Sequence, residues 1–255
     1  MSADRWPEGV DRLILPEVDS TNDEAARRSP ALARPTWILA RHQTAARGRR
    51  GRAWAMPAGN FAATLAIPAK LATQDAALRS YVAALALHDA LEGFIGGRAR
   101  LSLKWPNDVL LNGGKVAGIL LESAGQGGRV DRLSVGIGVN LVAAPSVAEV
   151  EPGALRPVSV LGETGIGIAP DAFLTCLAAS FAGWDRRLTD EGFQPLRLAF
   201  LGRAERLGDP VTARTGTGTV EGRFETIDET GAIVLATGTG RCAIPAADVY
   251  FRPAG

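Results

Sequence analysis

Residues 104–122 read KWPNDVLLNGGKVAGILLE, and this stretch decides the fold because it contains a strand end, two apolar runs and a tight turn between them. Pro106 lacks a backbone N–H and restricts the residue before it, so Trp105 is expected to be extended and to end a strand. The side chains of Asn107 and Asp108 then lie at that strand end. The Asn-Gly-Gly turn between the apolar runs is typical of a β-hairpin.

Lys115 opens the second strand of this hairpin, where a rigid element holds it near the rim of the sheet. Because side chains alternate along a strand, we predict that its face also carries Ala117, Ile119 and Leu121. The opposite face then carries Val116, Gly118 and Leu120. Gly118 indicates that a ligand approaches the backbone closely at this point.

The segments around the hairpin predict a mixed β-sheet packed with helices. Short apolar runs bounded by Gly, Pro or Asn indicate seven strands: Arg12–Val18, Thr36–Ala40, Asn60–Ile67, Leu101–Trp105, Val109–Leu111, Val116–Leu121 and Leu133–Leu141. Apolar residues at helical spacing indicate helices at about 74–94, 170–188 and 193–207. A capping box of Thr21 and Glu24 predicts a further helix from about Asn22.

The character of the sequence changes after Gly208-Asp209-Pro210. Short β-prone runs follow, separated by Gly-Thr-Gly or Glu-Thr-Gly turns: Val211–Arg214, Thr219–Ile227, Ala232–Ala236, Arg241–Ile244 and Val249–Phe251. We therefore expect an α+β protein with a larger domain at residues 1–208 and a small β-barrel domain at residues 209–255.

The composition excludes several classes of protein. The chain has 255 residues and a net charge of +1, so binding to nucleic acid through overall charge is not expected. Cys176 and Cys242 form no CxxC pair, predict neither a disulfide framework nor a zinc site, and fit a cytoplasmic protein. Neither a signal peptide nor a membrane span is predicted.

Lysine is rare in this chain. Of its 28 basic residues, only Lys70, Lys104 and Lys115 are lysines. Codon bias explains a general preference for arginine, but a site that needs a compact charge with a tunable pKa would retain lysine. The short interval between Lys104 and Lys115 is therefore a hint of such a site.

The segment from Gln43 to Trp54 is the strongest polar signal. Arg47, Arg49, Arg50 and Arg52 place four cations in six positions, and the glycines at 48 and 51 permit positive φ. A phosphate or carboxylate is the expected ligand, although a solvated basic loop or a nucleic-acid contact has the same composition. Four like charges with no fixed partner predict a loop that is mobile without ligand.

A second Gly-rich segment, Gly136–Asn140, is a further candidate, although close packing of the sheet on a helix also explains its glycines. Neither this segment nor the arginine segment fits a Walker loop or a Rossmann fingerprint. His42 and His88 form no metal-binding pair with a cysteine.

Four motifs in this order resemble those of the biotin protein ligases, also called biotin–[acetyl-CoA-carboxylase] ligases. They are Ser20-Thr21-Asn22, the arginine segment Arg47–Trp54, Lys104–Asp108 and Lys115–Leu120. Ala46 stands where the family usually has glycine. The resemblance implies a catalytic domain of the biotin/lipoate ligase type, followed by a small SH3-like barrel.

The resemblance also implies an activity. Such enzymes make biotinyl-5′-AMP from biotin and ATP with Mg²⁺, hold no tightly bound metal, and pass the biotinyl group to a lysine of a biotin carboxyl carrier protein. The residues implied for biotin are Ser20, Thr21, Asn22, Gln43, Arg47, Gly48, Arg49, Lys115 and Gly118. Those implied for the nucleotide are Arg49, Arg52, Trp54, Asn107, Lys115 and Asn140. The catalytic candidates are Lys115, Arg49 and Asp108, the last to orient or deprotonate the carrier lysine.

Two alternatives remain at this stage. A lipoate- or octanoate-attaching enzyme of the same fold would need an acyl tunnel, whereas Ser20, Thr21 and Gln43 favour biotin. A nucleic-acid-binding module would use the Arg47–Arg52 patch, against which the low net charge argues. Only 19 residues precede Ser20, so we expect no DNA-binding domain, no specific DNA partner and a monofunctional enzyme. A homodimer stays open.

Overall fold

The computed structural model describes residues 5–151 and 153–251. The first of two sheets contains β1 (Asp11–Val18), β2 (Thr36–Gln43), β3 (Phe61–Ala72), β4 (Leu101–Lys104), β5 (Asp108–Leu111), β6 (Gly114–Ala124) and β7 (Arg129–Val139). Their order is β1-β2-β3-β7-β6-β5-β4. β1 and β2 are parallel, whereas the other neighbours are antiparallel. The predicted mixed sheet is confirmed.

Helices cover the two faces of this sheet unequally. The helices are α1 (Thr21–Arg28), α2 (Thr73–Ile95), α3 (Val160–Thr164), α4 (Pro170–Glu191) and α5 (Gln194–Leu201). On β3, Phe61 packs edge-on against Phe173 of α4, with ring centroids 4.9 Å apart. Ala66 lies on the opposite face of β3 from Phe61 and packs there with Ala25 of α1. The main core therefore lies under the long helices, and the α1 face is left for the functional site.

The start of α1 differs from the prediction. The helix begins at Thr21 with Ser20 as its N-cap, and no side-chain hydrogen bond caps it. The predicted capping box of Thr21 and Glu24 is wrong, because the Thr21 hydroxyl bonds instead to Gln43 on β2. The Thr21 side chain therefore bonds to a residue distant in sequence and not to the first turn of its own helix.

The end of α5 also differs from the predicted helix at 193–207. The helix ends at Leu201, and Gly202 follows it. Leu103 of β4 then donates its N–H to the Arg203 carbonyl at 2.8 Å and accepts from the Glu205 N–H at 2.8 Å. Ala204 therefore forms a single parallel bridge with Leu103, and the chain turns on either side of it. Pairing with the sheet replaces another turn of helix as the partner of these backbone groups.

The second sheet is antiparallel and lies at the C-terminal end of the described chain. It contains β8 (Pro210–Arg214), β9 (Thr219–Ile227), β10 (Ile233–Thr237), β11 (Gly240–Ile244) and β12 (Asp248–Phe251), in the order β11-β10-β9-β8-β12. A small C-terminal β domain is thus confirmed. The boundary between the two domains at residues 208 and 209 stays a prediction. The first four residues of the predicted larger domain, 1–4, and the last four of the predicted small domain, 252–255, lie outside the described residues.

One contact between the sheets matters for the site. The turn before β10 places the Gly231 carbonyl 2.6 Å from the Tyr81 hydroxyl of α2, which donates to it. Trp105, which follows β4, donates its indole N–H to the Tyr81 oxygen at 2.9 Å. The C-terminal sheet is therefore fixed against the segment that leads to Asn107 and Asp108. Over residues 5–151 and 153–251, no helix combines the length and apolarity needed to cross a membrane.

Candidate active site

A cavity of about 670 Å³ opens on the α1 face of the first sheet. The structure brings all the site residues predicted from the sequence together around it: Ser20, Thr21, Asn22, Gln43, Arg47, Gly48, Arg49, Arg52, Trp54, Asn107, Asp108, Lys115, Gly118 and Asn140. Residues from four separate motifs thus share one site, and Asp248–Phe251 of the second sheet also line it.

The N-terminus of α1 forms an uncharged polar corner of the cavity. The Thr21 N–H and hydroxyl both donate to Gln43 Oε1, at 2.7 and 3.1 Å. Thr64 of β3 lies beneath and is 2.8 Å from the Thr21 hydroxyl and 2.6 Å from Asn22 Oδ1. Buried polar groups held in this way present fixed donors and acceptors to a neutral polar ligand.

Sequence reasoning missed Thr64 and Glu122, which support this corner from behind and do not themselves line the cavity. Thr64 is fully buried, and Glu122 of β6 accepts a hydrogen bond from Asn22 Nδ2 at 2.8 Å. A signal for Thr64 was present, since it is the one polar residue in the apolar run 61–67. Glu122 carried no such signal, because it lies just beyond the predicted strand Val116–Leu121.

Two glycines of β7 form the floor. A Cβ atom on Gly136 would lie 2.2 Å from Asn22 Oδ1, and one on Gly138 would lie 2.8 Å from the Trp54 ring. The expected close packing of this strand on a helix applies at Gly136, whereas Gly138 lies against the side chain of Trp54. Any larger residue at either position would displace its neighbour.

Trp54 covers the strand at Gly118 as well. A Cβ atom on Gly118 would lie 3.4 Å from the Trp54 ring, and Lys115 Nζ is 5.6 Å from the ring centroid. The indole therefore forms a flat apolar wall beside the lysine, where an aromatic base could stack.

The arginine segment is a tight turn whose backbone closes on itself. Gly48 donates its N–H to the Arg52 carbonyl at 2.7 Å, and Trp54 donates to the Ala46 carbonyl at 3.0 Å. Gly51 has the predicted positive φ of 71°, whereas Gly48 has a φ of −104° and needs no glycine for its conformation.

The expectation that these arginines lack fixed partners is wrong. Arg47 binds Asp23 and is 3.1 Å from Glu122, and Arg52 is 2.8 Å from Glu151. Asp248 of β12 lies 3.4, 3.0 and 3.1 Å from Arg49, Arg50 and Arg52 respectively. The C-terminal sheet thus supplies a shared carboxylate that offsets the like-charge repulsion assumed from the sequence.

Lys115 and Asp108 form an ion pair deep in the cavity. Their Nζ and Oδ1 atoms are 2.7 Å apart, and Lys104 Nζ is 3.5 Å from Asp108 Oδ2. Burial alone would raise the pKa of Asp108, but the two ammonium groups hold that pKa below its usual value. Burial lowers the pKa of Lys104, which Asp108 partly opposes.

The predicted alternation along β6 is wrong at Lys115. Leu110 of β5 pairs with Lys115 but Val109 pairs with Ala117, so Val116 is an extra residue in a β-bulge. The bulge moves Lys115 to the face of Gly118, where its Nζ would lie 3.6 Å from a Cβ atom on that glycine. A prediction that assumes strict alternation of side chains along a strand cannot detect such an extra residue.

A long segment after β7, which sequence reasoning did not assign, closes another side of the cavity. It contributes Pro145, Glu149, Val150, Glu151, Gly153, Ala154, Leu155 and Pro157 to the lining. Asn60 holds its start by donating to the Ala143 carbonyl at 2.7 Å. Asn140, only 2% exposed, holds its end by donating to the Val158 carbonyl at 3.1 Å.

Comparison with known proteins agrees with this geometry. The model of the biotin/lipoate A/B protein ligase family matches residues 14–140, and that of the biotin protein ligase C-terminal domain matches residues 207–252. The biotin–[acetyl-CoA-carboxylase] ligase of Paracoccus denitrificans is 56% identical, over 93% of this chain and 99% of its own length. The bifunctional ligase/repressor of Bacillus subtilis is 31% identical, over 93% of this chain and 73% of its own length.

A solved structure extends the similarity to the fold. The biotin protein ligase from Aquifex aeolicus in complex with biotin and ATP is 25% identical and has a TM-score of 0.78, covering 95% of this chain and 98% of that one. The match to the Paracoccus ligase over nearly its whole length, and the two family models in this order, show that this chain belongs to the biotin protein ligases, within the biotin/lipoate A/B protein ligase family.

Proposed function

We propose that this enzyme activates biotin with ATP and transfers the biotinyl group to a lysine of a biotin carboxyl carrier protein. A carboxylate oxygen of biotin attacks the α-phosphorus of ATP, and pyrophosphate leaves. The lysine nitrogen of the carrier then attacks the acyl carbon of biotinyl-5′-AMP, an amide forms, and AMP leaves. The observation that carries the proposal is the single cavity that joins a neutral polar corner to a group of cations.

The polar corner suits the ureido ring of biotin. Ser20, Thr21 and Asn22 are each at most 4% exposed, and Gln43 is held by two hydrogen bonds from Thr21. A neutral ring with N–H donors and a carbonyl acceptor can form further hydrogen bonds with such groups, whereas a saturated acyl chain can form none. The corner therefore favours biotin over lipoate or octanoate.

The cationic side chains of the cavity suit a reaction that joins two anions, the carboxylate of biotin and the α-phosphate of ATP. In the proposal Lys115 contacts both the biotin carboxylate and the α-phosphate, while Arg47, Gly48 and Arg49 cover the intermediate. Charges placed before the reaction stabilise the negative charge that develops in the transition state. Gly118 admits the ligand beside the backbone, and Trp54, Asn107, Arg52 and Asn140 serve the nucleotide.

Mg²⁺ is expected to accompany ATP and to share the charge of its phosphates, keeping several water ligands. Across the part of the chain that the structure describes, no group of three or more His, Cys, Asp or Glu side chains is placed to hold a metal ion. The carboxylate of Asp108 is already paired with two ammonium groups, so it is poorly suited to bind Mg²⁺.

Asp108 is the candidate for handling the carrier lysine. Because its pKa is lowered, the carboxylate is a weak base at neutral pH. We therefore infer that Asp108 orients the incoming amine by accepting a hydrogen bond and does not itself remove the proton. We also infer that the enzyme is monofunctional and binds no specific DNA, because each arginine of the Arg47–Arg52 turn has a carboxylate partner. A cytoplasmic location is inferred separately, from the two cysteines that form no disulfide.

Acceptor labelling tests the proposal. The chain is incubated with ATP, Mg²⁺, biotin and a biotin carboxyl carrier domain, and the intact mass of the acceptor is measured. We expect one biotinyl group per acceptor, and none on an acceptor whose target lysine is replaced by arginine. Efficient transfer of lipoate or octanoate in place of biotin would contradict the proposal and support the alternative enzyme.

A further inference from the structure

Lys104 takes no part in the steps proposed above, although it lines the cavity. It is one of only three lysines in a chain with 28 basic residues. Its side chain is 12% exposed and is covered by the C-terminal sheet, where Phe251 places its ring centroid 5.7 Å from Nζ. Burying an ammonium group is unfavourable unless a partner compensates for the lost water. The position of Lys104 therefore needs an explanation.

The partner of Lys104 is Asp108. Lys104 and Asp108 are paired residues of the antiparallel strands β4 and β5. The register of these two strands therefore fixes their separation. The Asp108 carboxylate lies between two ammonium groups, with Oδ2 3.5 Å from Lys104 Nζ and Oδ1 2.7 Å from Lys115 Nζ. The side chain of Asp108 is 11% exposed, so little water screens these interactions.

The charges of the three residues explain the arrangement. Asp108 and Lys115 alone would form a neutral pair, and a neutral pair attracts an incoming anion weakly. With Lys104 added, the group of Lys104, Asp108 and Lys115 carries one net positive charge. Asp108 can then hold Lys115 in place without cancelling the field that the substrate encounters.

We propose that Lys104 is a positioning residue that acts through Asp108: it offsets the charge of Asp108, so that Lys115 keeps an effective positive charge for the carboxylate of biotin. This inference rests on the proposed function, since it assigns that carboxylate to Lys115. Lys104 needs no contact with the ligand, and what matters is its charge beside Asp108.

Calorimetric titration with biotin, and with the alcohol analogue that has a CH₂OH group in place of the carboxylate, tests the proposal. We expect Lys104→Met to weaken biotin binding by about tenfold or more, equivalent to about 1.4 kcal/mol, because one nearby charge is lost. Binding of the uncharged alcohol should change by less than about twofold, since an electrostatic effect acts on the charged ligand. Lys104→Arg keeps the charge and should restore most of the affinity for biotin.

The double variant Lys104→Met with Asp108→Asn is the decisive case. It removes one charge of each sign and returns the group to the net charge of the parent, so biotin should bind at least about threefold more tightly than it binds to Lys104→Met alone. Full recovery is not expected, because the carboxylate that holds Lys115 in place is also lost. If Lys104→Met alone does not fold, the same tenfold step is measured between Asp108→Asn and the double variant. Lys70→Met is the matched control, because it removes an exposed lysine away from the cavity.

Three results would overturn the inference. Equal weakening of biotin and its alcohol by Lys104→Met would indicate a purely structural role. Failure of the double variant to recover would indicate direct contact between Lys104 and the ligand. Unchanged biotin affinity in Lys104→Met would show that Lys104 contributes no charge. A parent chain that does not bind biotin at all would instead contradict the proposed function.

Discussion

Lys115 is the residue on which the proposed chemistry depends most. Its Nζ is held 2.7 Å from Asp108 and would lie 3.6 Å from a Cβ atom on Gly118. We predict that Lys115→Ala lowers the rate of adenylate formation by roughly 10²-fold or more, because removal of one such charge typically costs ~3 kcal/mol of transition-state stabilisation. The rate of biotin-dependent pyrophosphate release measures this effect. A rate within several-fold of the parent, with the fold intact by circular dichroism, would rule out the assigned role.

Thr64 supports the polar corner from below. Its hydroxyl contacts Thr21 and Asn22, and substitution by valine would leave both without that partner. We predict that Thr64→Val weakens biotin binding by about tenfold, since a lost buried hydrogen bond costs on the order of 1–2 kcal/mol. Calorimetry measures the loss. Thr36→Val is the matched control, because Thr36 is a buried threonine of the same sheet outside the cavity, and an equal effect of both variants would contradict a specific role for Thr64.

At the scale of elements, β12 holds the arginine turn through Asp248. Its carboxylate is the shared partner of Arg49, Arg50 and Arg52. We predict that Asp248→Asn loosens the turn, so that trypsin cleaves at these arginines several-fold faster, as expected when local opening becomes easier. Mass spectrometry of the fragments over time measures the rate. Glu225→Gln is the matched control, because Glu225 pairs with Arg241 elsewhere in the same sheet, and equal cleavage of both variants would contradict the anchoring role.

The strands and helices of this chain were largely predictable because their signals are local. Apolar runs and helical spacing located the seven strands of the first sheet and the long helices, since each depends on neighbouring residues. The β-bulge at Val116 was not predictable, because it depends on the pairing of β5 with β6. The start of α1 was misread for the same reason, since the partner of Thr21 lies on β2.

The candidate site shows the same division. Its residues were found from motifs, because each motif is contiguous and carries unusual polar chemistry. The partners of those residues were missed when they lay far along the chain: Asp248 is about 200 positions from Arg49, and nothing in its own segment marks it. The expectation that these arginines lack fixed partners was wrong because charge repulsion was counted without these distant carboxylates. The mobility of the turn without ligand stays a prediction.

At the scale of the whole molecule, Tyr81 links the two sheets through its bond to Gly231. Burial raises the pKa of its phenol, so the folded chain keeps this proton at pH values where the unfolded chain has lost it. This contribution to stability is present below pH ~10 and is lost as the pH rises further, by up to about 1.4 kcal/mol per pH unit. We therefore predict that unfolding in urea depends more steeply on pH between about 9 and 11 for the parent than for Tyr81→Phe. Tyr250→Phe controls for loss of a tyrosine, and equal slopes for the parent and Tyr81→Phe would contradict the link.

The most direct test of the central claim is the exchange of labelled pyrophosphate into ATP, measured with biotin and with lipoate as the added acid. Exchange reports the first step alone and needs no carrier protein. The polar corner beside the cations predicts exchange that requires biotin and is at least about 10²-fold slower with lipoate, because the acyl chain of lipoate would form no hydrogen bond with the groups of the corner. Exchange that is independent of biotin, or equally fast with lipoate, would contradict the assignment of this cavity to biotin activation.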